Sequence, residues 1–210
     1  MNLLIPLLIF ISAILSLWGV SRLISRWHPS PCPTSLIFLL DNPFTGHYHT
    51  SILSRLDLSP GLHVLDAGCG PGLLTLPVAH AVGPQGRVVA LDVQEGMIQR
   101  AQRAADEAGL SNITFLLAGL GQGKLPAASF DRAALVTVLG EIPDRPAALR
   151  EIFSSLKPGG FLSITEVLPD PDYQPRRVVI ALALQAGFRV REEFGNWFMF
   201  TLNLERPSGA

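Results

Sequence analysis

The chain has 210 residues, a formal net charge of −1 and only 16% charged side chains. That length holds one domain with an appendage, and the near-neutral charge offers no footprint for a polyanion, so nucleic acid is not an expected partner. Hydrophobic residues make up 48% of the chain, and its two cysteines, Cys32 and Cys69, supply neither a disulfide framework nor a metal-ligand spacing.

The apolar excess is concentrated at the amino end. Residues 3–20, LLIPLLIFISAILSLWGV, contain no charge. As a helix they rise about 27 Å, enough for the hydrocarbon core of a bilayer. Trp18 and Trp27 fall at the level of an interfacial aromatic belt, and Arg22 and Arg26 follow on one side only. The positive-inside rule then puts the rest of the chain in the cytoplasm. A cleaved signal peptide would need a basic leading region and a small-x-small cleavage site, and the run has neither. A core or interfacial helix is the remaining alternative. Residues 1–27 are therefore expected to form a single-pass membrane anchor, with Pro6 tolerated in the first turn.

Next comes His28-Pro-Ser-Pro-Cys-Pro33, whose alternating prolines resist helix and predict a short stiff linker. Residues 35–58 combine an apolar cluster, Leu36 to Leu40, with the polar patch His47-Tyr48-His49. Residues 28–60 are expected to serve as linker and lid, at the membrane surface or over a ligand site.

From residue 61 to 206, strand-like apolar runs alternate with helical patterns, as in an α/β domain with a mostly parallel sheet. The first strand is expected over His63–Asp66, followed by a helix over Leu73–Ala81 and a turn at Gly83–Gly86. A second strand, Arg87–Leu91, ends in Asp92. A helix over Gln94–Ala108 carries the apolar stripe Met97, Ile98, Ala101 and Ala105, and stops at Gly109. Strands follow at Ile113–Leu117 and Arg132–Val138. Asp144 can cap a helix whose inward face is Leu149, Ile152, Phe153 and Leu156, ending at Lys157-Pro-Gly-Gly160. A strand at Phe161–Thr165, a helix at Arg176–Ala186 and two strands, Phe188–Glu192 and Trp197–Leu204, complete the chain.

The chemistry is carried by Val64-Leu-Asp-Ala-Gly-Cys-Gly-Pro-Gly72, a strand that breaks into a glycine-rich loop. Glycine lets the backbone approach a ligand closely, but a Gly-x-Gly-x-Gly loop alone is a weak signal. Asp92 follows 26 positions after Asp66, at the end of the second strand, where a carboxylate can accept two ribose hydroxyl protons. Ser129-Phe-Asp131 and Leu156-Lys-Pro-Gly-Gly160 stand in order behind it. Together these segments resemble the motifs of the class I, Rossmann-like S-adenosylmethionine-dependent methyltransferases, over about residues 40 to 206. The resemblance implies a seven-stranded sheet with its last strand antiparallel and helices on both faces. It also implies S-adenosylmethionine as cofactor, held by Asp66, Ala67, Gly68, Cys69, Gly70, Gly72, Asp92, Val93, Gly119 and Leu120. A dinucleotide dehydrogenase would carry Gly-x-Gly-x-x-Gly, whereas here the third glycine comes one residue early and Pro71 intervenes.

One departure stands out. Relatives usually place an acid after the third strand to meet the adenine amino group, and this chain reads Ala118-Gly-Leu-Gly-Gln-Gly-Lys124, leaving Gln122 or backbone carbonyls for that contact.

On the acceptor side the candidates are Glu141 and His47, with Asp144, Glu166, Tyr48 and His49 behind them. Glu141 ends the fourth strand, and its alternative is a loop carboxylate; Asp144 reads better as a helix cap. The anchor points to a small or lipophilic acceptor: a quinone-type ring, a lipid headgroup, or a hydrophobic thiol or hydroxyl compound. The competing reading is a non-catalytic, membrane-tethered protein that binds S-adenosylmethionine for assembly or regulation. No metal is implied, and the sequence leaves the oligomeric state open.

Overall fold

The computed structural model describes residues 4–27, 29–33, 43–168 and 170–209, with the side chains of residues 14, 15, 24–26 and 43–48 outside the description. Among the described residues, seven strands form one sheet: β1 His63–Ala67, β2 Arg87–Asp92, β3 Ile113–Leu117, β4 Phe130–Val136, β5 Leu156–Val167, β6 Arg189–Gly195 and β7 Met199–Glu205. Their order is β3-β2-β1-β4-β5-β7-β6. The first five run parallel, and β7 is antiparallel to both β5 and β6. This is the doubly wound arrangement expected of the sequence, with strand order reversing between β1 and β4, where ligands of such sheets bind beyond the carboxyl ends.

Helices cover both faces. α5 (Arg145–Ser155) and α6 (Arg176–Gln185) pack through Leu149, Ile152, Val179 and Ala183 onto Leu135, Leu162, Ile164, Leu202 and Leu204. On the other face α3 (Thr75–Val82) and the end of α2 (Pro43–Arg55) bury Val78, Val82, Ile52 and Leu56 against Val64, Val88 and Ala134. α4 (Glu95–Glu107) buries the stripe read from the sequence, Met97, Ile98, Ala101 and Ala105. It ends at Gly109, whose φ of +68° suits a residue without a side chain.

Several boundaries differ from the sequence reading. α3 begins at Thr75 rather than Leu73, although Leu76 N–H already donates to Gly72 carbonyl at 3.1 Å, so the difference is one turn of definition. β4 lies two residues earlier than expected. It stops before Thr137, a β-branched residue at φ +54°, which no strand accommodates. β5 is longer than expected at both ends. Pro158-Gly159-Gly160 reads as a break, and the ladder to β4 is interrupted there: Gly159 has a φ of +81° and the register jumps from Leu156 to Phe161. On the other side Gly159 N–H donates to Arg206 carbonyl and Arg206 N–H to Gly160 carbonyl, both at 2.8 Å, so the segment is a bulge within β5.

The amino-terminal helix α1 runs Leu4–Trp27, seven residues beyond the apolar run. Its window Leu4–Leu23 is long and apolar enough to cross a membrane, and none of that window is buried against the rest of the chain. Leu4, Ile9, Phe10 and Leu17 are each more than 60% exposed, which removes the core-helix alternative.

Candidate functional site

The site is built at the carboxyl edge of the sheet, from the ends of β1, β2 and β4. Gly68, Gly70 and Gly72 have φ of +78°, +52° and +94°, the left-handed region that glycine enters without strain. A Cβ on Gly68 would run into Val138, and one on Gly72 would meet Leu76 at 2.9 Å, so both glycines let elements close on each other. Gly70 differs: a Cβ there would meet nothing within 4 Å. It forms the open wall of the cradle.

The loop amides are already engaged. Gly68 and Cys69 N–H both donate to Leu91 carbonyl, at 2.7 and 2.9 Å, and Gly72 N–H donates to Cys69 carbonyl at 3.0 Å. A phosphate-binding loop turns such donors outward to its anion. This one turns them inward, so it offers a ligand close approach rather than anion capture. That agrees with the motif spacing, which disfavours a pyrophosphate.

Asp66 lies beneath the loop, buried, where Oδ2 accepts the Thr75 hydroxyl at 2.6 Å. Burial raises its pKa to about 6 against that hydrogen bond, with the Asp92 carboxylate adding to the rise. It therefore braces the strand–loop–helix junction from within. Ala67 and Cys69 are buried beside it, and burial pushes the Cys69 thiol well up, leaving it an inert filler.

Asp92 is the focal polar group. Its Oδ2 accepts Gly70 N–H at 2.9 Å and its Oδ1 accepts Gln94 N–H at 2.8 Å, with 7% of the residue exposed. A carboxylate has about four acceptor positions, so two backbone donors fix its orientation and leave two for a diol. Its backbone carbonyl accepts Ala118 N–H at 3.0 Å, drawing the loop after β3 alongside. Val93, next in line, exposes 53% of its surface, as an apolar platform for a ring would. These features fit the adenosyl group of S-adenosylmethionine.

The loop after β3 holds Gly119 and Leu120. Gly119 N–H donates to Gln122 Oε1 at 3.3 Å, leaving the amide –NH2 of Gln122 as a donor. An acid from α5 reaches this loop from outside it: Glu151 accepts the N–H groups of Gly121, Lys124 (2.6 Å) and Leu125 (3.0 Å). Glu151 spends itself on loop backbone, so it shapes the loop. Sequence spacing gave no signal for it.

Opposite lies the turn Leu139–Glu141, pinned by Arg145, whose Nε and Nη2 donate to the carbonyls of Leu139 and Gly140 at 3.0 and 2.9 Å. Strained Thr137 precedes the turn, and backbone strain of this kind collects at functional sites. Burial first, then Asp170 and Asp172 of the loop after β5, raise the Glu141 pKa to about 8. Burial likewise holds Asp170 near 6 and Glu166 well above the usual carboxylate range. Glu166 accepts Gln174 N–H at 2.9 Å through Oε2, while its buried Oε1 has no hydrogen-bond partner. Asp144 accepts Ala147 N–H at 2.9 Å, as a cap does. No group of three or more His, Cys, Asp or Glu among the described residues is arranged to hold a metal.

The linker makes a contact that the sequence did not suggest. Cys32 N–H donates to Glu141 Oε1 at 3.3 Å, and Cys32 carbonyl accepts Gln94 Nε2 at 3.0 Å. Residues 29–33 thus span from the β2 end to the β4 end, across the cleft, so Cys32 is more than spacer. The side chains of His47 and Tyr48 lie outside the described residues; His49 is half-buried on α2. The cavity lined by His63, Arg87, Ser129 and Phe130, about 300 Å³, sits at the amino ends of the strands, away from all of these groups.

Comparison with known proteins gives a concordant picture. A family model described as a methyltransferase domain matches residues 58–184. Nocamycin O-methyltransferase of Saccharothrix syringae is 34% identical over 120 residues, covering 57% of this chain and 43% of that protein. Demethylmenaquinone methyltransferase of Symbiobacterium thermophilum is 32% identical over 114 residues, covering 54% of this chain and 45% of that protein. The chain thus spans less than half the length of either relative. Among solved structures, a SAM-dependent methyltransferase from Aquifex aeolicus superposes with a TM-score of 0.76 at 25% identity, covering 83% of this chain and 98% of that one.

Proposed function

The chain belongs to the S-adenosylmethionine-dependent methyltransferase family, and on that premise we propose that it methylates a small, lipophilic acceptor at a membrane surface, with a quinone-type ring favoured. The observation that carries the reading is Asp92, clamped by Gly70 and Gln94 amides beside an open glycine wall and facing the buried Glu141 turn. The quinone-type preference draws on the relative named for demethylmenaquinone and on the apolar helix α1.

S-adenosylmethionine supplies, when bound, a methyl group made electrophilic by its sulfonium sulfur. The chain's own residues do the rest. Asp92 would receive the ribose hydroxyls, Val93 and Leu120 would flank the adenine, and the positive-φ loop lets the backbone lie close to the ligand. Glu141 would take the proton from an acceptor hydroxyl. Its raised pKa suits that task near neutral pH, because a general base works best when its pKa lies near the working pH. The 29–33 segment would exclude water from the cleft. Alignment and proton removal are what a displacement of this kind asks of a protein.

The helix α1 would hold the domain on the membrane as a single-pass anchor with the catalytic domain on the cytoplasmic side, residues 28–60 acting as linker and lid before the domain over 61–206. Its exposed apolar surface, with Arg22 and Arg26 in its last turns beyond the apolar run, supports that reading. A non-catalytic role in S-adenosylmethionine binding is the second reading, favoured by the loop 118–124 without its usual acid. Radiolabelled methyl transfer into a reduced quinone dispersed in lipid separates the two: labelled product supports the enzyme, whereas tight cofactor binding without transfer to any acceptor supports the alternative.

A further inference from the structure

The turn between β6 and β7 carries Trp197 and Phe198, which are 74% and 46% exposed although large aromatic side chains are ordinarily buried. Their rings stack edge to face at 6.0 Å, forming one apolar knob. Met199 pairs with Val167 at the end of β5, so the knob stands at the same edge of the sheet as the cofactor cradle.

A continuous set of contacts joins this knob to the end of α1. Trp197 carbonyl accepts the Tyr173 hydroxyl at 3.1 Å. The Arg22 guanidinium lies 5.4 Å from the ring centres of both Tyr173 and Trp18, and donates to the carbonyls of Tyr173 and Asp170 at 3.4 and 3.5 Å. Arg22 sits at the polar end of the apolar run, where a membrane helix meets the headgroups. The hairpin tip is therefore held at the level of that interface by its neighbours, not merely left outside the core. Tryptophan with an adjacent apolar residue favours this layer, one end of the side chain apolar and the other wet.

We propose that the Trp197–Phe198 hairpin tip is a second bilayer contact, and that the loop 170–174, bracketed between it and Arg22, opens the acceptor side of the site onto the lipid phase. This inference rests on the reading of α1 as a membrane helix. It narrows the acceptor to a molecule dissolved in the bilayer, because the loop carrying Asp170 and Asp172 beside Glu141 then faces lipid rather than bulk water.

The test uses the full chain with Trp18→Phe and Trp27→Phe, which leaves Trp197 as the one tryptophan. The protein is reconstituted in phosphatidylcholine–phosphatidylglycerol vesicles, some with bromine at shallow acyl positions and some at deep ones, and carbonate extraction reports separately on α1. The expected result is carbonate resistance with Trp197 emission shifted to the blue and quenched at least twofold more by shallow than by deep bromine. Carbonate resistance with Trp197 quenched by aqueous acrylamide as freely as an exposed indole overturns the hairpin proposal and leaves the anchor standing. Shielding from acrylamide without any bromolipid quenching also overturns it, since another protein surface then covers the tip. Release by carbonate together with an unquenched Trp197 overturns both readings.

Discussion

Asp92 offers the sharpest perturbation of the cofactor site. Its two oxygens each accept a backbone N–H, from Gly70 at 2.9 Å and Gln94 at 2.8 Å, with only 7% of the residue exposed. Asp92→Asn keeps the shape but turns one oxygen into an –NH2 that faces a backbone donor. One charge-assisted bond is lost, and the amide has a single acceptor left for ribose. Asp92→Ala removes both anchors of the loop and the whole ribose contact. A hydrogen bond to a charged group is worth about 1.5–3 kcal/mol, so the loss of one alone corresponds to about a ten- to hundredfold drop in S-adenosylmethionine affinity, the least that Asp92→Ala should show. Titration calorimetry should give that loss equally for S-adenosylmethionine and S-adenosylhomocysteine, because the ribose is common to both and only the sulfur charge differs. Denaturant unfolding of the same variants separates loop loosening from lost ligand contact. A folded Asp92→Ala protein that binds either ligand with unchanged affinity refutes the reasoning.

Four further outcomes follow from the same structure. Glu141, with its pKa near 8, should give kcat/KM a rising limb with a midpoint near pH 8 in the free enzyme, and Glu141→Gln should abolish that limb in a pH–rate series. In the folded chain Asp66, Asp170 and Glu141 bind protons more tightly than unfolded carboxyls at about 3.8 and 4.5, so their contribution to stability is full below pH 4 and is lost as pH rises through about 6 and then about 8. Thermal unfolding should therefore show the midpoint falling as pH rises from about 4 to about 8, and Glu141→Gln should remove the part of the fall between about 6 and 8. Gly68→Ala drives a methyl into Val138 and should cost about 1–3 kcal/mol in denaturant unfolding, partly restored by Val138→Ala; Gly70→Ala, with open space at its Cβ, should fold and instead weaken cofactor binding. Ile11→Arg near the middle of the apolar helix should release the protein from membranes on carbonate extraction, since an arginine there costs about 2.5–3.5 kcal/mol of insertion.

The features legible in the sequence were those set by local chemistry. Apolar runs ending in Asp66 and Asp92, the glycines of the cradle, the stripe of α4 and the Asp144 cap all depend on residues a few positions apart, where periodicity and cap chemistry act directly. Pro158-Gly159-Gly160 marks a real irregularity, with Gly159 at a φ of +81°, but its bonds to Arg206 hold it inside β5 as a bulge, and that distant partner leaves no local signal. The contacts across the cleft were invisible for the same reason. Cys32 reaches Glu141 across 109 positions, and Arg22 reaches Tyr173 across 151, through backbone groups that every residue possesses. Such pairings leave no composition or spacing to read. Glu151 likewise resembles any acid on an exposed helix face until the loop after β3 folds over it.

Methyl transfer is the claim on which the account turns. The direct measurement is incubation of the full chain with S-adenosylmethionine labelled in its methyl group and vesicles containing a reduced, ring-unsubstituted quinone, followed by mass spectrometry of the lipid extract. The account predicts a product heavier by one labelled methyl group, formed in step with S-adenosylhomocysteine and suppressed in Asp92→Ala. Cofactor binding with no labelled product from this or any other lipid-soluble acceptor would contradict it.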